Sequence, residues 1–132
     1  MAIPYAARLP SIPLSVRTVR RAMADLAADC GMNADMVAAV QLAVTEAAAN
    51  VVMHAYADAT GELTVTAVVE DGELAIIIGD SGLGFDERRD SPGLGVGLSL
   101  IATVAEQLRI VTNPGGTQIR MTFPCPSAAG GR

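Results

Sequence analysis

LAVTEAAANVVMHAY, running from Leu42 to Tyr56, is the stretch that decides how this chain folds. It holds no Gly or Pro, so nothing in it interrupts a helix. Glu46 and Asn50 stand at i and i+4. That spacing stacks a carboxylate and a carboxamide on one face, one turn apart. A helix packed into a small domain ordinarily fills such a face with apolar side chains. Two polar groups in a mostly apolar segment mark an edge that faces a site. Taken alone, the pair equally fits ordinary polar groups on a helix surface.

The helix sits in a chain of 132 residues, one domain by length and enough for a single core. Hydrophobic residues make up 51% and aromatics only 3%, with no Trp, so the core is built from Ala, Val, Ile and Leu. No apolar run reaches the roughly 18 residues a membrane span needs. The start, MAIPYAARLP, lacks a charged segment followed by an apolar one, so no secretory signal is evident and the expected location is cytoplasmic. A formal net charge of −5 without a basic stripe argues against direct nucleic-acid binding. All nine basic residues are Arg. Without Lys there is no Walker A loop and no Schiff-base amine. Cys30 and Cys125 are isolated, and with a single His they offer no zinc-ligand spacing. Two reduced, partly buried thiols are expected.

Upstream of the central helix, Pro4, Pro10 and Pro13 give an extended arm with a short edge strand around Ala7 to Leu9. Val16, Val19, Met23, Leu26 and Ala27 then recur at helical spacing, with Ser15 as N-cap and Gly31 as stop. Arg17, Arg20, Arg21 and Asp25 take the opposite face. This is either a solvated surface or a docking face for an acidic partner. Asn33 or Asp35 caps the central helix, whose buried stripe is Val37, Val40, Val44, Ala48, Val51 and Ala55.

Downstream the period shortens to two. Leu63 to Val69 alternates as a strand, Asp71-Gly72 signals a hairpin, and Leu74 to Ile78 reads as a central strand covered on one face. A helix follows from about Leu98 to Glu106, then a strand from Leu108 to Thr112, a turn over 113–116, and a last strand from Thr117 to Phe123. The tail from Cys125 on is expected to lack order. Helices and strands do not alternate simply. The order favours an α+β two-layer sandwich, a mixed, mostly antiparallel sheet with helices on one face.

Three elements carry chemistry. A carboxamide oxygen such as that of Asn50 suits magnesium, and the carboxylate of Glu46 one turn away can orient or deprotonate a nucleophile. Asp80-x-Gly82-x-Gly84 follows the central strand. A carboxylate there can accept from an exocyclic amino group, and glycines allow close backbone approach. Gly93-x-Gly95-x-Gly97 opens a helix whose free N–H groups suit phosphate. Each alone also fits a commonplace turn or surface.

In this order the three resemble the ATP-binding boxes of the gyrase, heat-shock chaperone, histidine kinase and MutL superfamily. Glu46-x-x-x-Asn50-x-x-x-His54 is similar to the N box. Asp80-x-Gly82-x-Gly84-Phe85 is similar to the G1 box, and Gly93-Leu94-Gly95-Val96-Gly97-Leu98 to the G2 box. Gly116-Thr117 is similar to the closing Gly-Thr strand. The resemblance covers about residues 8 to 124, and its small size with TEAAANVVMHAY resembles the anti-sigma factor serine kinases. It implies the Bergerat ATP-binding fold. It further implies that Asn50 ligates Mg2+, that Glu46 is the catalytic base for a serine hydroxyl, and that Asp80 takes the adenine amino group. Gly82, Gly84, Gly93, Gly95, Val96, Gly97 and Leu98 would line the ATP, with Thr117 near Asp80. The implied partners are a sigma factor, an antagonist (anti-anti-sigma) protein and a second copy in a homodimer. His54 reads as a positioning or packing residue. The segment Asp86 to Pro92 is a short lid, on which Arg88 or Arg89 would reach the γ-phosphate. A regulatory module that binds ATP and sequesters a partner without phosphorylating it is the alternative. A catalytic domain detached from a two-component kinase is a third reading.

Overall fold

The computed structural model describes residues 5–52, 61–80, 107–113 and 116–126. In chain order these form β1 (Tyr5–Pro10), α1 (Pro13–Asp29), α2 (Ala34–Asn50), β2 (Glu62–Glu70), β3 (Glu73–Asp80), β4 (Gln107–Asn113) and β5 (Gly116–Pro124). The expected helix over 98–106, the lid and the end of the central helix lie outside the described residues.

The strands form one sheet in the order β1-β2-β3-β5-β4. Every described pairing is antiparallel, so the sheet is less mixed than the sequence reading allowed. The hairpin between β2 and β3 closes on Asp71 and Gly72 at φ 53 and 77, the twist that two-residue hairpins favour. Its register sets Val65 opposite Ile78 and Ala67 opposite Ile76. Ile78 in turn faces Ile119, and Ile76 faces Met121. These residues are buried, whereas the alternate positions Thr64, Thr66, Ile77 and Gln118 are only half-buried. One face of the sheet therefore carries the core, as period-2 patterning requires.

Helices α1 and α2 pack on each other and cover that face, α1 over β2 and α2 over β3. Helix α1 buries Val19, Met23 and Ala27 and keeps Arg17, Arg20 and Arg21 exposed. It starts two residues before the expected cap. Pro13 occupies the first turn, where its missing N–H costs nothing, and Ser15 is buried within the helix. At the other end Gly31 does act as the stop. Its φ of 92 permits Gly31 N–H to donate to the Ala28 carbonyl and Met32 N–H to the Ala27 carbonyl. Asn33 caps α2, accepting from Met36 N–H at 2.9 Å. Val40, Val44, Ala47, Ala48 and Val51 are fully buried along α2. Past Asn50 the helix widens into a π-turn at Val51 and Val52, a local form common beside functional sites.

The loss of order expected from Cys125 onward does not hold at Cys125 itself. Cys125 is fully buried, and its N–H donates to the Gly72 carbonyl at 2.8 Å. Both cysteines are free thiols in the core. Among the described residues, no helix is long and apolar enough to cross a membrane.

Candidate functional site

Helix α2 positions Glu46 and Asn50 as its geometry dictates. Glu46 is half-buried at the shoulder of the helix, and Asn50, one turn on, is only 6% exposed. The Asn50 Nδ2 is buried without a hydrogen-bond partner among the described residues. A buried amide left unmatched costs about 1–3 kcal/mol, so folding alone does not explain an Asn at this position. The lone Asn at the end of an apolar stripe fits a group that awaits a ligand.

Asp80 closes β3 on the same sheet face that the helices cover, opposite Leu63. It too is 6% exposed. Its Oδ2 accepts the backbone N–H of Thr117 at 3.2 Å, and Thr117 is fully buried. The pairing of β3 with β5 creates this contact, since the ladder ends with Gly79 opposite Gln118 and leaves Asp80 beside Thr117. A carboxylate held this way is fixed in direction at the end of the central strand.

The described part of the site therefore has two walls. Helix α2 supplies Glu46 and Asn50, and the adjoining ends of the central strands β3 and β5 supply Asp80 and Thr117. Helix α2 packs over β3, so the walls belong to one layer junction. Gly82, Gly84, Gly93, Gly95, Val96, Gly97, Leu98, His54, Arg88 and Arg89 lie outside the described residues.

Gly79 was not singled out in the sequence, although a Gly inside an apolar strand is a known sign of close backbone approach. A Cβ at this position would stand 2.6 Å from the Thr117 carbonyl oxygen. The second feature that sequence reading missed is the meeting of Cys30 and Cys125. Burial, reinforced by the adjacent Cys30 thiol, pushes the Cys125 thiol from an ordinary 9.0 up to about 12. A thiol so hard to ionise is a packing group rather than a nucleophile.

Comparison with known proteins adds the following. The family model described as "Histidine kinase-like ATPase domain" matches residues 9–123. The chain is 32% identical over 124 residues to the serine-protein kinase RsbW of Bacillus licheniformis, covering 82% of this chain and 78% of that protein. It is 29% identical over 115 residues to the anti-sigma F factor of Caldanaerobacter subterraneus subsp. tengcongensis, covering 78% of this chain and 80% of that protein. Among solved structures it resembles the RsbU and RsbW domains of a Mycobacterium tuberculosis protein. The TM-score there is 0.74 at 25% identity, over 93% of this chain and 32% of that longer one. The fold is shared with the histidine kinase domain of a blue-light activated kinase from Erythrobacter litoralis, at TM-score 0.61, 20% identity and 92% coverage of this chain, spanning 64% of that one.

Proposed function

The chain belongs to the histidine kinase-like ATPase domain family, and on that premise we propose that it is an ATP-dependent protein serine kinase that also acts as an anti-sigma factor. The observation that carries this reading is the buried Asn50, whose Nδ2 has no hydrogen-bond partner among the described residues, one turn from the half-buried Glu46. We read the catalytic unit as a single domain over about residues 8 to 124.

Each residue has a stated task. Asp80 accepts the exocyclic amino group of adenine, its direction fixed by Thr117 N–H. The Asn50 side-chain oxygen would hold magnesium, and its Nδ2 would donate to the nucleotide. When bound, the magnesium ion neutralises charge on the phosphates. Glu46 accepts the proton of a serine hydroxyl on the antagonist protein. The serine oxygen bonds to the γ-phosphorus, the bond from that phosphorus to the β–γ bridging oxygen breaks, and ADP leaves. The glycines over 82–97, with Val96 and Leu98, give the nucleotide its backbone donors.

The partner surface that we favour is α1. Leu14, Arg17, Thr18 and Arg21 share one helical face and line an open groove of about 780 Å³, together with Tyr5 and Gln41. Leu14 is 61% exposed, an apolar contact set among cations. Such a face fits an acidic segment of the sigma factor. A homodimer would use the open sheet edge of β1 beside it. Sedimentation showing only a 13.5 kDa species at micromolar concentration would remove that part of the reading.

The test of the kinase is transfer of labelled phosphate from ATP with magnesium to a candidate antagonist. The expected result is acid-stable phosphoserine, lost on Glu46→Gln with nucleotide affinity retained. ATP binding without transfer to any antagonist would leave a regulatory module that sequesters its partner. Acid-labile phosphate on a partner's histidine would identify a detached two-component catalytic domain.

A further inference from the structure

We propose that Gly79 is a positioning residue that sets nucleotide-base selectivity by letting strand β5 close onto β3 at Asp80. This rests on the reading of Asp80 as acceptor for the base's amino group. The Gly79 peptide is held tightly from both sides. On one side the Thr117 carbonyl oxygen occupies space 2.6 Å from where any Cβ would stand, with Gln118 Cγ at 3.3 Å. On the other, Thr64 Oγ1 donates to the Gly79 carbonyl at 3.1 Å. The same Thr117 peptide segment supplies the N–H that Asp80 Oδ2 accepts at 3.2 Å.

The consequence follows from covalent geometry. The Gly79 carbonyl belongs to the peptide plane that leads into Asp80, so holding it holds the Asp80 N–Cα bond, and the strand's extended φ then sets where the side chain leaves the backbone. A side chain at 79 cannot enter without moving backbone, because the obstacle is a main-chain carbonyl rather than the tip of a flexible side chain. Moving β5 away lengthens the Thr117–Asp80 hydrogen bond and lets the carboxylate swing. A swung carboxylate still carries charge but no longer meets an amino group at a fixed place. Gly79 therefore acts through Asp80 and touches no ligand itself.

The test compares ATP with inosine triphosphate, which lacks the exocyclic amino group, by calorimetric titration of the full chain. Wild type is expected to prefer ATP about ten-fold or more, the contribution of one hydrogen bond to a charged acceptor. In Gly79→Ala that ratio falls to about two-fold or less, with weak binding of both nucleotides retained. A generally loosened fold would weaken both ligands equally and keep the ratio. A folded Gly79→Ala protein with the wild-type ratio overturns the proposal. A wild type that does not distinguish the two nucleotides overturns the reading of Asp80 instead. If Gly79→Ala does not fold, Thr64→Val decides. It releases the same peptide from the other side with a good strand former, and the ratio is expected to fall about three-fold. An unchanged ratio in that variant overturns the clamp.

Discussion

Asn50 and Asp80 are equally buried, yet they stand in opposite energetic positions. Asp80 has the Thr117 N–H for company, so its desolvation is partly offset. The Asn50 Nδ2 has no hydrogen-bond partner among the described residues, so its desolvation is not offset there. Replacing the amide by an apolar group of similar shape removes the penalty. Asn50→Leu is therefore expected to raise stability in urea, without nucleotide, by about 1 kcal/mol while abolishing nucleotide binding. A variant that loses stability and keeps binding would contradict the role given to Asn50. Asp80→Asn keeps an acceptor for Thr117 but turns donors toward the base. It should fold with near wild-type stability and lose most of its preference for ATP over inosine triphosphate, read by the same titration.

At the scale of elements, the two helices are held by devices that the sequence displays openly. Asn33 accepts from Met36 N–H, and Asn33→Ala is expected to cost about 1 kcal/mol in urea unfolding. The junction of α1 with the end of β5 depends on the two thiols. Cys125 is pushed up to about 12 in the folded chain from an ordinary 9.0. The folded state therefore holds its proton where the unfolded state releases it. The stability this contributes is fully present below pH 9 and is lost as the pH rises from 9 toward 12. Urea unfolding between pH 9 and 11 should show stability falling with pH, on the order of 1 kcal/mol per pH unit, from this pair of thiols. In Cys125→Ala that slope should flatten, even though the variant starts less stable. An unchanged slope would show that the thiol ionises as easily in the fold as outside it.

For the whole molecule, the proposed site would link nucleotide binding to folding through the junction of α2 with the sheet. A ligand that binds only the folded chain stabilises it, by about 2.7 kcal/mol at one hundred times its Kd. ATP with magnesium should raise the melting temperature, and chelating the metal should remove most of that rise if Asn50 is its ligand. An equal rise with and without chelator would take the metal away from Asn50. Much of this architecture was legible in the chain. The 3.6 period of α1 and α2, the alternation of β2 and β5, the Asp71-Gly72 turn and the stop at Gly31 are local signals, because dihedral preference and side-chain direction act over a few residues. The order of Glu46, Asn50, Asp80 and the glycine boxes is likewise a property of the string, and it was enough to name a family. The sequence by itself thus determined which of the described elements form and to which family the chain belongs. Tertiary structure alone decided that Thr117 N–H reaches Asp80, that Cys30 meets Cys125, that Asn50 is buried with its Nδ2 unmatched among the described residues, and that β5 lies too close to Gly79 for any side chain. Those facts depend on strand register and on the distance between layers. Both are set by the packing of residues far apart in the chain, which no local period encodes.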